Sequence, residues 1–144
     1  MVHHNTVNTE VTDNLLMLES YRLQTFEGKW KTLKGFPYCT PAHFAAAGFF
    51  YAGSKSMPDN VKCFCCRREL NEWETDDDPW EEHKKRGQNC LFVQLKLKKN
   101  DITLQDILKL FFDMKKNTLM ELYEEKKKVL EERFQYLEKK VKSV

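Results

Sequence analysis

Residues 61–90 read VKCFCCRRELNEWETDDDPWEEHKKRGQNC and hold four of the five cysteines in this 144-residue chain. Two residues separate Cys63 from Cys66, a spacing that lets one tight turn direct both thiolates at one ion. His83 follows after sixteen residues, and Cys90 after six more. Three thiolates and one imidazole form a Cys3His set, a ligand type of tetrahedral zinc sites. The stretch therefore predicts one Zn²⁺ ion bound by Cys63, Cys66, His83 and Cys90.

The predicted zinc site is structural. Four protein ligands complete the tetrahedron and leave no position for a reactive water. A zinc deaminase also needs a glutamate two residues after the histidine, whereas Lys84 and Lys85 follow His83 here. We therefore expect a protein that is not an enzyme. The remaining cysteines, Cys39 and Cys65, are expected to be buried thiols of the core.

The composition fits one small domain with an additional extended element. The chain is 41% hydrophobic, carries a formal net charge of +2 and contains no basic arm suited to nucleic acid. It also lacks the linker and second histidine of a DNA-binding zinc finger, so we expect no direct sequence-specific binding of nucleic acid.

The N-terminus does not look like a signal peptide, and no apolar run could span a membrane. An intracellular protein with reduced thiols is expected.

Residues 1–18 are interpreted as a flexible lead-in, and residues 19–98 as the zinc domain. In the segment YRLQTFEGKW, the spacing of Leu23, Phe26 and Trp30 predicts a short helix against the core. The segments FFYAG and VKCFCC predict short strands, because aromatic and β-branched residues lie between turn formers. Residues 67–71, RRELN, are interpreted as a further strand.

Cap residues mark the starts of two helices in the zinc domain. Thr40 and Pro41 begin one helix, and Gly48 ends it in the left-handed conformation. Asp78 begins the helix that carries His83, with Glu81 placed three residues later as in a capping box.

Residues 101–144 predict one long helix for partner binding, because they contain neither Gly nor Pro and open with the cap pair Thr103 and Asp106. About 38 residues at roughly 1.5 Å each would extend about 57 Å, beyond the reach of a small domain. The helix carries an upstream stripe, formed by Leu104, Ile107, Leu108 and Phe111. Its distal stripe is formed by Met120, Tyr123, Leu130, Phe134, Leu137, Val141 and Val144. Packing on the chain's own domain is the alternative for the upstream stripe, whereas the distal stripe requires another helix.

Several motifs of this chain resemble the baculoviral inhibitor-of-apoptosis repeat family. They are CFCC, ELNEW, DDDPWEEH and Cys90, preceded by YRLQTF, Trp30 and AAAGFF. One repeat followed by a long helix, with EEHKK and ITLQDILKL in place, is similar to the single-repeat members over nearly all of the chain. The resemblance implies an α+β fold of short helices around a three-stranded antiparallel sheet, followed by one long C-terminal helix. No RING-type cysteine array follows the repeat, so ubiquitin ligation is not expected.

The resemblance implies that the repeat reads a histone tail with a free N-terminal alanine and phosphothreonine at its third residue. The tail would lie beside the RRELN strand, where Asp77 receives the amine. Leu70 and Trp73 would enclose the alanine methyl, and Arg68 and Arg86 would bind the phosphate. The expected groove comprises Arg68, Glu69, Leu70, Asn71, Trp73, Asp77 and Arg86.

Several of these residues have alternative interpretations. Asn71 stands where the family often has a second acid, and Met57 and Asn60 also depart from the family pattern. The acids of residues 76–78 could form only a solvated helix start, and Trp73 could serve only the core. The alternative function is binding of caspases or of apoptosis antagonists without a chromatin role. Arg86 argues against it, because antagonist-binding members commonly have Trp there.

The resemblance also implies partners for the long helix. Borealin-like and inner-centromere-protein-like helices would bundle with it in the chromosomal passenger complex, with an Aurora-type kinase bound indirectly. Such an adaptor would occupy nucleus and cytoplasm, and centromeres and the spindle midzone or midbody in mitosis. It would support chromosome segregation and cytokinesis and restrain apoptosis. A homodimer through the segment around Leu104 and Ile107 is a further expectation.

Overall fold

The computed structural model describes residues 11–30, 35–98 and 101–144. Three strands form an antiparallel sheet in the order β1-β2-β3, with Phe49 opposite Cys63 and Val61 opposite Leu70. The elements are α1 (Glu19–Gln24), α2 (Pro41–Ala46), β1 (Phe49–Tyr51), β2 (Val61–Cys63), β3 (Glu69–Leu70), α3 (Pro79–Arg86), α4 (Leu91–Lys98) and α5 (Leu104–Lys142). The expected α+β fold with one long C-terminal helix is confirmed. Helix α4 was not predicted.

The predicted start and end of α2 are confirmed. The hydroxyl of Thr40 accepts a hydrogen bond from the backbone N–H of His43 at 3.3 Å. Gly48 follows the helix with a φ of 95°, a left-handed conformation that favours glycine. A Cβ at Gly48 would also lie 2.6 Å from the ring of Phe92. This glycine therefore allows both the turn into β1 and the close approach of α4.

Helix α3 begins at the predicted cap. The Asp78 carboxylate accepts from the backbone N–H groups of Trp80 and Glu81 at 2.8 and 3.1 Å. The carboxylate of Glu81 lies 2.7 Å from the ammonium of Lys84, one turn further along. The cap fixes where α3 starts and hence which face of the helix carries His83.

An aromatic cluster fills the core between α1, α2 and the sheet. The ring of Phe44 lies 4.8 Å from that of Trp30 and 4.9 Å from that of Trp73, both in edge-to-face geometry. Phe26 is buried as predicted, but Leu23 is 40% exposed, so its predicted core position is wrong. Helix α1 ends at Gln24, and a series of turns then carries Phe26 into the core. Burial of the two remaining thiols is confirmed at Cys39 and Cys65.

Arg22 on α1 connects the segment before this helix to α2. The Arg22 guanidinium donates to the carbonyls of Leu16, Met17 and Ala45 at 2.8, 2.9 and 3.0 Å. Burial lowers the pKa of Arg22 to about 10, against the opposing effect of Glu19. Residues 11–15 are helical, and Leu16 is buried in the core with Met17 packed against it, so the end of this segment contacts the domain. The rest of the predicted lead-in lies outside the described residues.

Helix α5 contains 39 residues and therefore extends about 58 Å. Its first turn has the predicted capping box between Thr103 and Asp106. Leu110 and Met114 are the helix residues buried against the domain. In the predicted upstream stripe, Phe111 packs on the core, whereas three residues are exposed: Leu104, Ile107 and Leu108. Within the described ranges, no helix is long and apolar enough to cross a membrane.

Candidate metal centre and peptide groove

Four side chains converge in the geometry of a metal site. The ligand atoms of Cys63, Cys66, His83 and Cys90 all lie within 4.8 Å of one another. The Sγ atoms of Cys63 and Cys90 are 3.9 Å apart, and Cys66 Sγ lies 3.7 Å from His83 Nε2. A zinc tetrahedron with Zn–S bonds of about 2.3 Å requires S···S separations of roughly 3.8 Å. The cluster can hold one zinc ion.

Different elements bring the four ligands together. Cys63 ends β2, Cys66 lies in the turn that follows, His83 lies on α3 and Cys90 immediately precedes α4. The imidazole of His83 is fully buried, and its Nδ1 lies 2.6 Å from the carbonyl oxygen of Ala47. A proton on Nδ1 donates to this carbonyl and leaves Nε2 free to bind metal.

The buried cluster favours separated charges. Burial raises the pKa of Cys63, whereas hydrogen bonds from the thiols of Cys63, Cys65 and Cys66 lower the pKa of Cys90. Burial lowers the pKa of His83, but its hydrogen bonds with Cys66 and Cys90 more than offset this and raise it to about 9. The backbone N–H of Cys65 also donates to Cys63 Sγ at 3.4 Å. These surroundings favour the thiolate at Cys90 and the neutral thiol at Cys63. Because cysteine binds zinc as the thiolate, zinc binding by all the cysteines of the cluster would release protons.

A small pocket beside the metal cluster contains most of the predicted peptide groove. Its volume is about 30 Å³, and it is lined by Leu70, Asn71, Glu72, Trp73, Asp77, Glu82 and Arg86. One carboxylate oxygen of Asp77 accepts from the backbone N–H of Glu74 at 2.8 Å, which fixes its orientation. We refer to this lining as the amine pocket, because it contains Asp77, which the sequence analysis expects to receive a peptide amine. The pocket combines carboxylates with the apolar side chains of Leu70 and Trp73.

Glu82 in the amine pocket was missed in the sequence analysis. Its side chain is only 13% exposed and lies 2.6 Å from Lys85 and 3.3 Å from Arg86. The hydrogen bond from Lys85 is the main cause of a lowered pKa at Glu82, so the carboxylate is anionic. Glu82 is thus one of three acids that line the amine pocket, with Glu72 and Asp77. Glu82 could have been identified from its position four residues before Arg86, because residues with this spacing lie on the same face of a helix.

Two predicted groove residues, Glu69 and Asn71, make side-chain contacts with residues outside the amine pocket. The carboxylate of Glu69 pairs with Lys62 at 3.4 Å and accepts from Asn60 Nδ2 at 3.3 Å. Asn71 lines the amine pocket, and its amide Nδ2 lies 3.3 Å from the sulfur of Met57. Among the described residues, Glu69 does not line the amine pocket.

A larger basic cavity adjoins the amine pocket at Arg86. Its volume is about 720 Å³, and it is lined by Cys66, Arg67, Arg68, Lys85, Arg86, Gly87, Gln88, Asn89, Cys90 and Asn117. The structure thus brings Arg68 and Arg86, both predicted from sequence, to the same cavity. Arg86 lines the amine pocket as well, so the two spaces share one side chain. An acidic pocket and a basic cavity therefore lie side by side near β3.

Residues 22–94 match the family model described as Inhibitor of Apoptosis domain, or BIR. The match covers about half of the chain and includes all four residues of the metal cluster. The chain belongs to the BIR family. The matched residues span the end of α1, then α2, the sheet, α3 and the start of α4, and we refer to this part as the BIR domain. Helix α5 lies beyond the matched residues.

The similar relatives are named for the baculoviral IAP repeat. Baculoviral IAP repeat-containing protein 5.2-A of Xenopus laevis is 40% identical over 99 residues, which are 65% of this chain and 63% of the relative. Baculoviral IAP repeat-containing protein 5 (survivin) of Cavia porcellus is 38% identical over 117 residues, 81% of each chain. The chain thus spans just under two thirds of the Xenopus relative and four fifths of the mammalian one.

A solved structure is also similar to the BIR domain. The autoinhibited dIAP1-BIR1 domain is 34% identical, with a TM-score of 0.42, and the match covers 52% of this chain and 65% of that chain.

The predicted partner residues beyond the BIR domain lie along the outer part of α5. In the distal stripe, each of the following side chains is more than half exposed: Met120, Tyr123, Leu130, Phe134, Leu137 and Val141. Two polar residues of α5 that the sequence analysis did not identify, Asn117 and Glu121, contact the BIR domain instead. Asn117 Nδ2 donates to the carbonyl of Cys65 at 2.9 Å, and Arg67 Nε donates to Glu121 at 2.7 Å.

Proposed function

We propose that this BIR protein is a non-enzymatic, survivin-type adaptor that reads a histone tail. The tail would begin with a free alanine amine and carry phosphothreonine at its third residue. The observation that carries this proposal is the junction at Arg86 between the amine pocket and the basic cavity. A ligand with a cation at its start and an anion two residues later complements these adjoining surfaces.

Each chemical group of such a tail has a matching group in the protein. The ammonium lies between the carboxylates of Asp77 and Glu82, and the alanine methyl contacts Leu70 and Trp73. Arg68 and Arg86 present charge-assisted donors to the phosphate. Strand β3 pairs with β2 and ends the sheet order, so its other edge can take an added peptide strand.

Zinc has a structural role in this proposal. Cys63, Cys66, His83 and Cys90 would hold one ion, which links β2, α3 and the start of α4. Four protein ligands fill the tetrahedral coordination and support an adaptor without enzyme activity. With zinc bound, these ligands would hold the turn that leads to Arg68 and the helix that carries Arg86, which both line the basic cavity.

The long helix would join partner proteins in the chromosomal passenger complex. Its exposed distal stripe has the spacing that bundles with other helices, here borealin-like and inner-centromere-protein-like ones. Such an assembly would bring an Aurora-type kinase to phosphorylated centromeric chromatin without direct contact between kinase and BIR domain. This proposal includes the nucleus and cytoplasm as locations, with centromeres and the spindle midzone or midbody in mitosis. A homodimer through the segment around Leu104 and Ile107 would be the form of the free protein.

Fluorescence anisotropy of labelled peptides with the full chain tests the proposal. The first peptide carries a free alanine amine and phosphothreonine at its third residue, and matched peptides are N-acetylated or unphosphorylated. We expect tight binding of the first and weak binding of both controls. Equal binding of phosphorylated and unphosphorylated peptides would overturn tail reading and favour the alternative, capture of apoptosis antagonists or caspases.

A further inference from the structure

The basic cavity contains a cation that the phosphate site assigned above does not use. Arg67 lines it together with Arg68 and Arg86, and its side chain is only 16% exposed. Its φ of 63° places it in the left-handed region at the end of the zinc turn. The guanidinium also lies over the ring of Phe50, 5.5 Å from the ring centroid. Arg67 is therefore a fixed part of the cavity wall and not a mobile surface arginine.

The long helix holds Arg67 in this orientation. Arg67 Nε donates to the carboxylate of Glu121 at 2.7 Å, and Lys62 contacts the same carboxylate. Although burial raises the pKa of Glu121, hydrogen bonds from Lys62 and Arg67 lower it overall, so the carboxylate is anionic. One turn earlier on α5, Asn117 itself lines the cavity and donates to Cys65. The basic cavity is thus built jointly by the BIR domain and α5.

The charges around the cavity complement a dianion. Four cations line it: Arg67, Arg68, Lys85 and Arg86. Two carboxylates contact these cations, Glu82 beside Lys85 and Arg86, and Glu121 beside Arg67. Within the described ranges, Arg68 makes no ion pair. The four cations exceed these two carboxylates by two positive charges, which would balance a phosphate ester of about −2 at neutral pH. Glu121 also pairs with Lys62, so its single negative charge is shared and does not neutralise Arg67 alone.

From this geometry we infer that Arg67, oriented by Glu121 of the long helix, is a third phosphate-binding cation of the tail-reading site. This inference rests on the proposed function and extends it. Because Nε is directed to Glu121, the terminal nitrogens of the guanidinium are the donors left for an anion. Tail affinity then depends on contact between α5 and the BIR domain. Glu121 is a positioning residue, and Arg67 is the residue that touches the ligand.

Peptide binding by full-length variants tests this inference. We choose Arg67→Asn, because asparagine tolerates the left-handed conformation and removes the charge. Affinity for the phosphorylated peptide is expected to fall about tenfold, the scale of one charge-assisted hydrogen bond. Affinity for the unphosphorylated peptide is expected to stay unchanged. Glu121→Gln is expected to reduce the phosphate preference about threefold, and Glu125→Gln, an exposed change one turn further along α5, to leave it unchanged.

The outcomes separate this inference from the proposed function. If the wild-type chain shows no preference for the phosphorylated peptide, tail reading itself is wrong and this inference is wrong with it. If the wild-type chain shows that preference and both Arg67→Asn and Glu121→Gln keep it, Arg68 and Arg86 bind the phosphate alone and the inference is overturned. Bound zinc and the thermal unfolding transition of each variant are measured in parallel. If Arg67→Asn loses zinc, the comparison of Glu121→Gln with Glu125→Gln tests the inference instead. The same phosphate preference in these two variants would then overturn it.

Discussion

The carboxylate of Glu82 lies 3.3 Å from Nε of Arg86, one helical turn along α3. Glu82 lines the amine pocket, and Arg86 lines both that pocket and the basic cavity. One ion pair therefore connects the acid that the proposed function assigns to a peptide amine with a cation that it assigns to the phosphate. In that proposal, a single helix would set the distance between the two ligand groups.

Glu82→Gln should weaken binding of the free-amine phosphopeptide about tenfold, because the ammonium loses one of the two carboxylates that the proposed function assigns to it. The same substitution should hardly change the weak binding of the acetylated peptide. Glu81→Gln is the matched control, since Glu81 is an exposed neighbour that pairs with Lys84. Anisotropy titrations of both variants measure the effect, and equal losses in the two would show that Glu82 does not contact the amine.

Gly87→Ala should lower zinc affinity. An added Cβ would lie 2.7 Å from the carbonyl oxygen and 2.8 Å from Cδ2 of His83, so the imidazole must shift. Competition with a chromophoric chelator measures the affinity, and we expect at least a tenfold loss, the scale observed when a group that orients a metal ligand is changed.

Gly28→Ala is the comparison for this variant. Gly28 has a φ of 69° but open space around its Cα, so alanine there strains the backbone without approaching the metal cluster. It should lower the free energy of unfolding by about 1 kcal/mol and leave zinc affinity unchanged. Unchanged zinc affinity in Gly87→Ala would contradict the role of His83 as a ligand.

The combined substitution Leu130→Glu, Phe134→Glu and Leu137→Glu should abolish binding of the partner helices. All three side chains are more than half exposed on the distal part of α5, so the thermal stability of the BIR domain should not change. Co-expression with borealin-like and inner-centromere-protein-like segments followed by pull-down provides the measurement. The control replaces Glu124, Glu131 and Glu138 by Ala on another face. Intact pull-down with the triple glutamate variant would refute the partner helix.

The contact between α5 and the BIR domain should weaken in acid. The pKa of Glu121 in the folded protein lies below its ordinary value of 4.5. Its contribution to the free energy of unfolding is therefore fully present above that value and is lost as the pH falls through the folded pKa. The difference in urea midpoint between wild type and Glu121→Gln should shrink as the pH falls below about 4.5. A difference that stays constant would mean that the ion pairs contribute nothing to stability.

The sequence contained enough information for the metal cluster and for five of the residues that line the amine pocket. Cysteine and histidine spacing identified Cys63, Cys66, His83 and Cys90, because four ligands of one ion must converge whatever the intervening fold. Asp78 and Thr103 were identified as caps because capping depends on local sequence. These features are determined by short-range chemistry.

The residues that were missed depend on long-range packing. Arg22 is charged, yet its guanidinium is buried because three carbonyls accept its hydrogen bonds, one of them that of Ala45 on α2. Glu82 looked like one more acid of α3, and its role depends on how that helix faces β3. Asn117 and Glu121 are polar, so they do not belong to the apolar stripes from which the contacts of α5 were predicted. Such contacts follow only from the orientation of α5 on the BIR domain.

The position of phosphothreonine along the tail tests the central claim most directly. Peptides with a free N-terminal alanine and phosphothreonine at the second, third or fifth residue are titrated against the full-length protein by anisotropy. Because Arg86 joins the amine pocket to the basic cavity, affinity should be highest with phosphate at the third residue and at least tenfold lower at the others. Equal affinities for all three peptides would contradict simultaneous reading of amine and phosphate.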